Sequence, residues 1–202
     1  MKLFFLLFLL FPLTFCQDPV NLHLYAMSKC PDCTSWETVF SPVVSKIPTI
    51  FTLDIDFFGS YESSEDGITF TCPHGETECI GDMYELCARK YFEDDFVFFA
   101  FIMCLDEDRE NIPNNVRACA ENTTGMSWTT LAKCYNSEGE TLLKNSIDNT
   151  NNAGVDWAPT IFLQGKKYCE WHQYCPVDDW QGFRDAICNA YTGTKPSGCY
   201  GS

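Results

Sequence analysis

Apolar and polar side chains alternate with period two in two stretches near the start of the chain, which predicts two strands. The first is Val20-Asn21-Leu22-His23-Leu24-Tyr25; the second spans 50–58, where Phe51, Leu53, Ile55 and Phe57 alternate with Thr52, Asp54 and Asp56. Between them Trp36, Val39, Phe40, Val43, Val44 and Ile47 recur at helical spacing until Pro48, and Pro42 within that run predicts a kink. Helical patterning returns around residues 83–92 and 127–135, while the run 96–105 is apolar on all sides and reads as a central helix or strand of the core. The Asn-rich run 145–152 reads as a loop. Ile161-Phe162-Leu163, a Gln164-Gly165 turn and Lys166-Lys167-Tyr168 form a hairpin, and Asp178 and Asp179 open a last helix through Trp180, Phe183, Ile187 and Ala190. The order strand, helix, strand, insertion, hairpin, helix predicts an α/β chain with a disulfide-stapled helical insertion at about 59–152.

Met1-Lys2, the apolar run 3–11, and Thr14 and Cys16 at −3 and −1 read as a secretory signal peptide, residues 1–16, cleaved after Cys16. The alternatives are a membrane anchor, for which the run falls short of the ~20 residues needed, and a lipid-modified Cys16. No other segment approaches transmembrane length, so the mature chain, 17–202, is expected to be one domain without stable membrane insertion. Cleavage leaves twelve of the thirteen cysteines, an even number in an oxidising compartment where thiols pair. Asn122-Thr123-Thr124 is a candidate glycosylation acceptor on the same route. With 28 acidic against 13 basic side chains, a formal charge of −15 argues against nucleic-acid binding, which needs Lys/Arg to displace counterions. At 46% hydrophobic and 15% aromatic the chain can bury a core and is not a disordered acidic tail.

Cys30-Pro31-Asp32-Cys33 stands between the first strand and the first helix. That puts Cys30 at a helix N-terminus, where unsatisfied N–H groups and the macrodipole favour its thiolate. Cys30 is then the nucleophile toward a substrate disulfide, and Cys33, one turn in and less exposed, resolves the mixed disulfide. Pro31 suits the first turn, where its missing N–H has no partner. Asp32 is expected to raise the Cys30 pKa, a penalty that fades as carboxylates protonate near pH 4–5. The alternatives are half of a zinc site, although no second pair has this spacing and histidines number only three, or one more structural disulfide. Pro159, in Ala158-Pro159-Thr160 ahead of a strand, stands where thioredoxin-like folds place a cis-proline against the dithiol; a trans proline opening a strand is the alternative.

The segment Cys72-Pro73-His74-Gly75-Glu76-Thr77-Glu78-Cys79-Ile80-Gly81-Asp82, continuing to Cys87, resembles the signature of the gamma-interferon-inducible lysosomal thiol reductase (GILT) family, Cys-x-His-Gly-x2-Glu-Cys-x2-Asn-x4-Cys. Cys72, His74, Gly75, Glu78, Cys79 and Cys87 match, and Asp82 replaces the family's Asn. Phe101-Ile102-Met103-Cys104, Trp157-Ala158-Pro159 and the closing Cys188, Tyr191, Gly193, Lys195-Pro196 and Cys199 look like family features in family order. The resemblance implies a thioredoxin-like fold, reduction of protein disulfides in an acidic endosomal or lysosomal or secreted setting, and catalysis by Cys30 and Cys33. It also implies disulfide-bonded protein substrates, a small-thiol or protein electron donor, and neither cofactor nor metal. The propeptides of some members are expected to be absent. His74 reads as a structural histidine or a proton donor, and Glu78 as a surface or capping carboxylate. Cys72, Cys79, Cys87, Cys104, Cys119, Cys134, Cys169, Cys175, Cys188 and Cys199 are expected to form framework disulfides whose pairing is open. Rival readings are an endoplasmic-reticulum-type oxidase or isomerase and a non-catalytic disulfide-rich binding protein.

Overall fold

A computed structural model of the chain describes residues 17–65 and 67–201; the expected signal peptide, 1–16, lies outside them. The first strand, β1 (Val20–Ala26), runs parallel to β2 (Phe51–Phe57) in the register Val20 with Phe51, and the crossover between them is the helix α1 (Pro31–Lys46). On its other side β1 pairs antiparallel with β5 (Thr160–Leu163), and β5 pairs with β6 (Lys166–Glu170), giving the order β2-β1-β5-β6. Both β1 and β2 alternate buried and half-buried positions and then bury their last three residues, because layers cover both faces there. One side is α1 with α6 (Trp180–Ala190): Trp36 stacks on Phe40 at 4.7 Å, and Phe183 of α6 meets Trp36 edge-on at 5.8 Å. Fully buried rings of this kind contribute roughly 1.5–3 kcal/mol each. The helix α1 continues through Pro42 to Lys46.

The insertion is not wholly helical, contrary to expectation. It opens with a hairpin, β3 (Ser60–Ser64) and β4 (Gly67–Thr71), whose Tyr61 and Phe70 lie across from each other. This short ribbon was hard to foresee because, Tyr61, Ile68 and Phe70 apart, its positions are exposed; Tyr61 fixes it by donating to Asp148 Oδ1 at 2.8 Å. Helices α2 (Glu76–Tyr91), α3 (Asp95–Asp106), α4 (Val116–Asn122) and α5 (Trp128–Ala153) follow. The apolar run 96–105 is therefore helical, started by Asp94, whose carboxylate accepts from Phe96 N and Val97 N. The Asn-rich run expected as a loop forms the last two turns of α5. Tertiary bonds override the poor helix propensity of Asn. Ser146 Oγ accepts from Phe57 N at 2.8 Å, Thr150 Oγ1 donates to Phe57 O at 2.9 Å, and Ile147 is buried between them. Gly154, at φ 64°, then caps the helix in the left-handed conformation.

All ten cysteines expected to be structural are paired. Cys87–Cys134 ties α2 to α5, Cys104–Cys119 ties α3 to α4, and Cys188–Cys199 holds the C-terminal segment to α6. Cys72–Cys79 and Cys169–Cys175 close short loops. Asn122 ends α4 on the surface. Among the described residues no helix is long and apolar enough to cross a membrane.

Candidate active site

The dithiol lies where β1 hands over to α1. Cys30 is the N-cap of α1, with extended backbone at φ −79°, ψ 124°, and Pro31 occupies the first helical position. No side-chain hydrogen bond caps the helix, so the first-turn N–H groups remain turned toward the end of the helix where Cys30 stands. Cys33 lies one turn in, and among the described residues these two are the cysteines outside a disulfide. Both are buried, at 5% and 1% exposed, Cys33 the more so.

The hydrogen bond from the Cys33 thiol does most to lower the Cys30 pKa; burial opposes it; the backbone N–H groups of Cys33 and Asp32 lower it further. The Asp32 carboxylate raises it as expected, but least of these effects, and the balance brings Cys30 down to about 6. The expectation of a raised pKa is thus corrected: donors in contact with the sulfur outweigh a half-exposed carboxylate. Cys33 is pushed well above the ordinary thiol range by burial, by its bond to Cys30 and by the charge of Glu37.

Pro159 follows a cis peptide bond from Ala158. Its carbonyl accepts from Trp171 N at 3.1 Å, and Trp157 Nε1 donates to Trp171 O at 2.8 Å. The loop closed by Cys169–Cys175 is thereby fastened to the proline. A cleft of about 370 Å³ brings Cys30, Pro31 and Asp32 together with Met27, Phe58, Pro73, His74, Asp156, Trp157 and Ala158. A larger cavity, about 740 Å³, lies between β4, α2 and α5 and contains neither Cys30 nor Cys33.

The 72–87 segment reaches this cleft through Pro73 and His74. Gly75, at φ 92°, is the N-cap of α2, a conformation that favours glycine. Glu78, three residues on, is fully buried rather than at the surface: it accepts from His74 N at 2.9 Å and from Lys29 N at 3.3 Å, and it lies 2.5 Å from His74 Nδ1. It therefore joins the signature to the residue before Cys30. His74 itself is part of the cleft mouth and half-exposed. Asp82, also fully buried, accepts from Ser28 N at 2.9 Å. Its other oxygen lies 3.7 Å from Cys72 Sγ; a disulfide sulfur cannot donate, so a neutral Asp82 carboxyl is the donor there. Burial and the charge of Glu78 push Asp82 well above the ordinary carboxylate range, so a protonated Asp82 has the donor that an ionised carboxylate lacks. Cys72, Glu78 and Asp82 bring their ligand atoms within 4.8 Å of one another, but Cys72 is bonded to Cys79 and offers no thiolate to a metal.

Sequence reasoning missed the acids behind the dithiol. Glu37 on α1, Glu85 on α2 and Asp106 on α3 converge there, Glu37 and Glu85 at 4% and 3% exposed. Burial, followed by the Asp106 charge, pushes Glu37 well above the ordinary range; burial, followed by Asp82, does the same for Glu85; burial raises Asp106. Thr34 Oγ1 donates to Asp106 at 2.8 Å. One signal was available: Glu37 falls between Trp36 and Phe40, four residues after Cys33, where the apolar stripe admits no charge.

The family model for gamma interferon inducible lysosomal thiol reductase (GILT) matches residues 21–123. The gamma-interferon-responsive lysosomal thiol protein of Arabidopsis thaliana is 30% identical over 91% of this chain and 76% of its own. The gamma-interferon-inducible lysosomal thiol reductase of Carassius auratus is 24% identical, over 92% and 74%. Among solved structures, BdbD from Bacillus subtilis superposes with a TM-score of 0.61 at 16% identity, covering 87% of this chain and 89% of that one. DsbA from Mycobacterium tuberculosis gives 0.60 at 16%, covering 89% and 85%. These likenesses give the fold, which is thioredoxin-like.

Proposed function

The chain belongs to the gamma interferon inducible lysosomal thiol reductase family of thiol–disulfide oxidoreductases, and from that premise we propose that it reduces protein disulfides through Cys30 and Cys33. The observation that carries the assignment is the contrast among the described cysteines: ten are tied into the scaffold, and two remain free at a helix N-terminus, Cys30 in a cleft that also takes in Ala158, the residue before the cis-proline. The Cys30 thiolate attacks one sulfur of a substrate disulfide; that S–S bond breaks, and the departing sulfur takes the electron pair and a proton. Cys33 then loses its proton and attacks Cys30 Sγ. The Cys30–Cys33 disulfide forms, and the second substrate sulfur leaves with its electron pair and is protonated. Two molecules of a small thiol, or one protein dithiol, supply two electrons and two protons to restore the pair and are themselves left as a disulfide.

The direction of use follows from the thiolate. A Cys30 pKa of about 6 lies near the ~7 of thioredoxin and far from the ~3.5 of DsbA, whose stabilised thiolate makes it a strong oxidant. That favours a reductase over an oxidase. The five disulfides fit an oxidising secretory route, ending in an endosomal, lysosomal or secreted setting, and the relatives' names, which say lysosomal, support the lysosomal one. Reduction of insulin disulfides tests the reading: Cys30→Ser is expected to abolish it, and unchanged turnover in that variant overturns the assignment of the nucleophile.

A further inference from the structure

The cleft at the dithiol carries a charge pattern that disulfide exchange itself does not use. Two carboxylates frame its mouth, Asp32 on the first turn of α1 and Asp156 shortly before β5, above walls formed by Met27, Phe58 and Trp157. No lysine or arginine lines it. Lys29, beside Cys30 in sequence, is turned away: its Nζ donates to Thr77 Oγ1 at 3.2 Å, Glu110 O at 3.1 Å and Ile112 O at 3.4 Å. His74 reaches the cleft, but its ring is engaged by Glu78. His172 lies 3.9 Å from Asp32, beyond hydrogen-bond distance but close enough to pair with it when the imidazole is protonated, which leaves Asp156 as the carboxylate without a cation beside it. Asp156 is exposed, and its side chain has no hydrogen-bond or ion-pair partner among the described residues.

An exposed carboxylate at the entrance of an otherwise apolar groove attracts a cation on the incoming chain and repels an anion, and the net charge of −15 acts in the same sense at longer range. We propose that the cleft selects cystine-bearing segments with a lysine or arginine beside the reacting cysteine and apolar neighbours against Met27, Phe58 and Trp157, with Asp156 as a specificity-determining residue. This inference rests on the reductase reading given above.

The test uses two disulfide-bonded peptides that differ only in carrying Lys or Glu next to the reacting cysteine. Rates with the full mature protein at pH 5.5 are divided by those with dithiothreitol, which removes the intrinsic reactivity of each disulfide. The expected preference for the Lys peptide is about three- to tenfold at low salt, the product of a weak attraction and a weak repulsion of the size found for exposed charge pairs. It is expected to shrink at about 0.5 M salt and to fall at least twofold in Asp156→Asn, a near-isosteric change at an exposed site. Dependence on Asp156 separates the local carboxylate from the charge of the whole molecule. Equal normalised rates in the wild type, or a preference that Asp156→Asn leaves intact, overturns the inference. If the wild type reduces neither peptide, the reductase reading itself fails, and this inference with it.

Discussion

Replacing Glu37 by Gln tests the buried acids most sharply. Glu37, Glu85 and Asp82 are each at most 4% exposed, and burial pushes all three well above the ordinary carboxylate range. In the unfolded chain such groups titrate near ~4. A carboxyl whose folded pKa is raised holds its proton in the native state at pH values where the unfolded chain has released it. Stability is therefore greatest at or below the unfolded pKa and declines as pH climbs toward the folded one, the reverse of an ordinary ion-paired aspartate. Each such group costs about 1.4 kcal/mol per pH unit inside that window, so the three together can tilt the curve by up to ~4 kcal/mol per unit. Glu37→Gln keeps the shape and the hydrogen-bond donor toward Asp106 but removes one titration. Between the unfolded pKa and the raised folded one the wild type should lose about 1.4 kcal/mol per pH unit more than the variant, and the two curves should converge or cross near the unfolded pKa of ~4. The hydrogen bond from Glu37 lowers the Asp106 pKa and the variant keeps a donor there, so the titrations of the cluster stay coupled and single changes within it are not additive. Urea unfolding of the disulfide-intact protein across pH 4.5–7 reads this directly. Wild-type stability that rises with pH, or parallel curves for the two proteins, would refute the reasoning.

Other consequences are equally concrete. Iodoacetamide alkylation of Cys30 should show a midpoint near pH 6, falling by less than one unit in Asp32→Asn because that carboxylate is the smallest influence on the sulfur; a midpoint above ~8, the range of a free thiol, contradicts this. Serine replacement of Cys87 and Cys134, which close 47 residues, should cost about 4 kcal/mol on loop entropy, against about 2 kcal/mol for Cys169 and Cys175, which close six; a reversed order in urea unfolding would count against that account. In Gly81→Ala the new methyl would meet Ser28 Oγ at 2.5 Å and Ile112 Cγ2 at 2.6 Å. That overpacking should cost about 1–3 kcal/mol and slow disulfide reduction, because Ser28 and Lys29 lead into Cys30; a variant as stable and as active as wild type would show that α2 does not hold the dithiol in place.

The frame of the fold was readable wherever one face is buried and the other wet. The alternation in β1 and β2, the stripe on α1 and the Asp179 cap of α6 all carry their periodicity openly. The hairpin β3–β4 and the end of α5 were not readable in this way. Their placement depends on single long-range bonds, Tyr61 to Asp148, and Ser146 and Thr150 to Phe57, made by residues whose local preference points elsewhere. The dithiol was visible as a motif, and so was its proline, but the sign of the effect on Cys30 was not. It depends on which donors touch the sulfur, a matter of tenths of an ångström that spacing alone does not convey. The disulfide partners were hidden for a related reason: Cys87 finds Cys134 only once α2 and α5 lie side by side.

The central claim, that Cys30 attacks and Cys33 resolves, is tested most directly by trapping. Without the resolving thiol, Cys33→Ser should accumulate a mixed disulfide between Cys30 and substrate protein, identified by mass spectrometry at pH 4.5, while the Cys30→Ser variant accumulates none. Absence of any adduct in Cys33→Ser at both pH 4.5 and pH 7, or adducts attached to another cysteine, would contradict it.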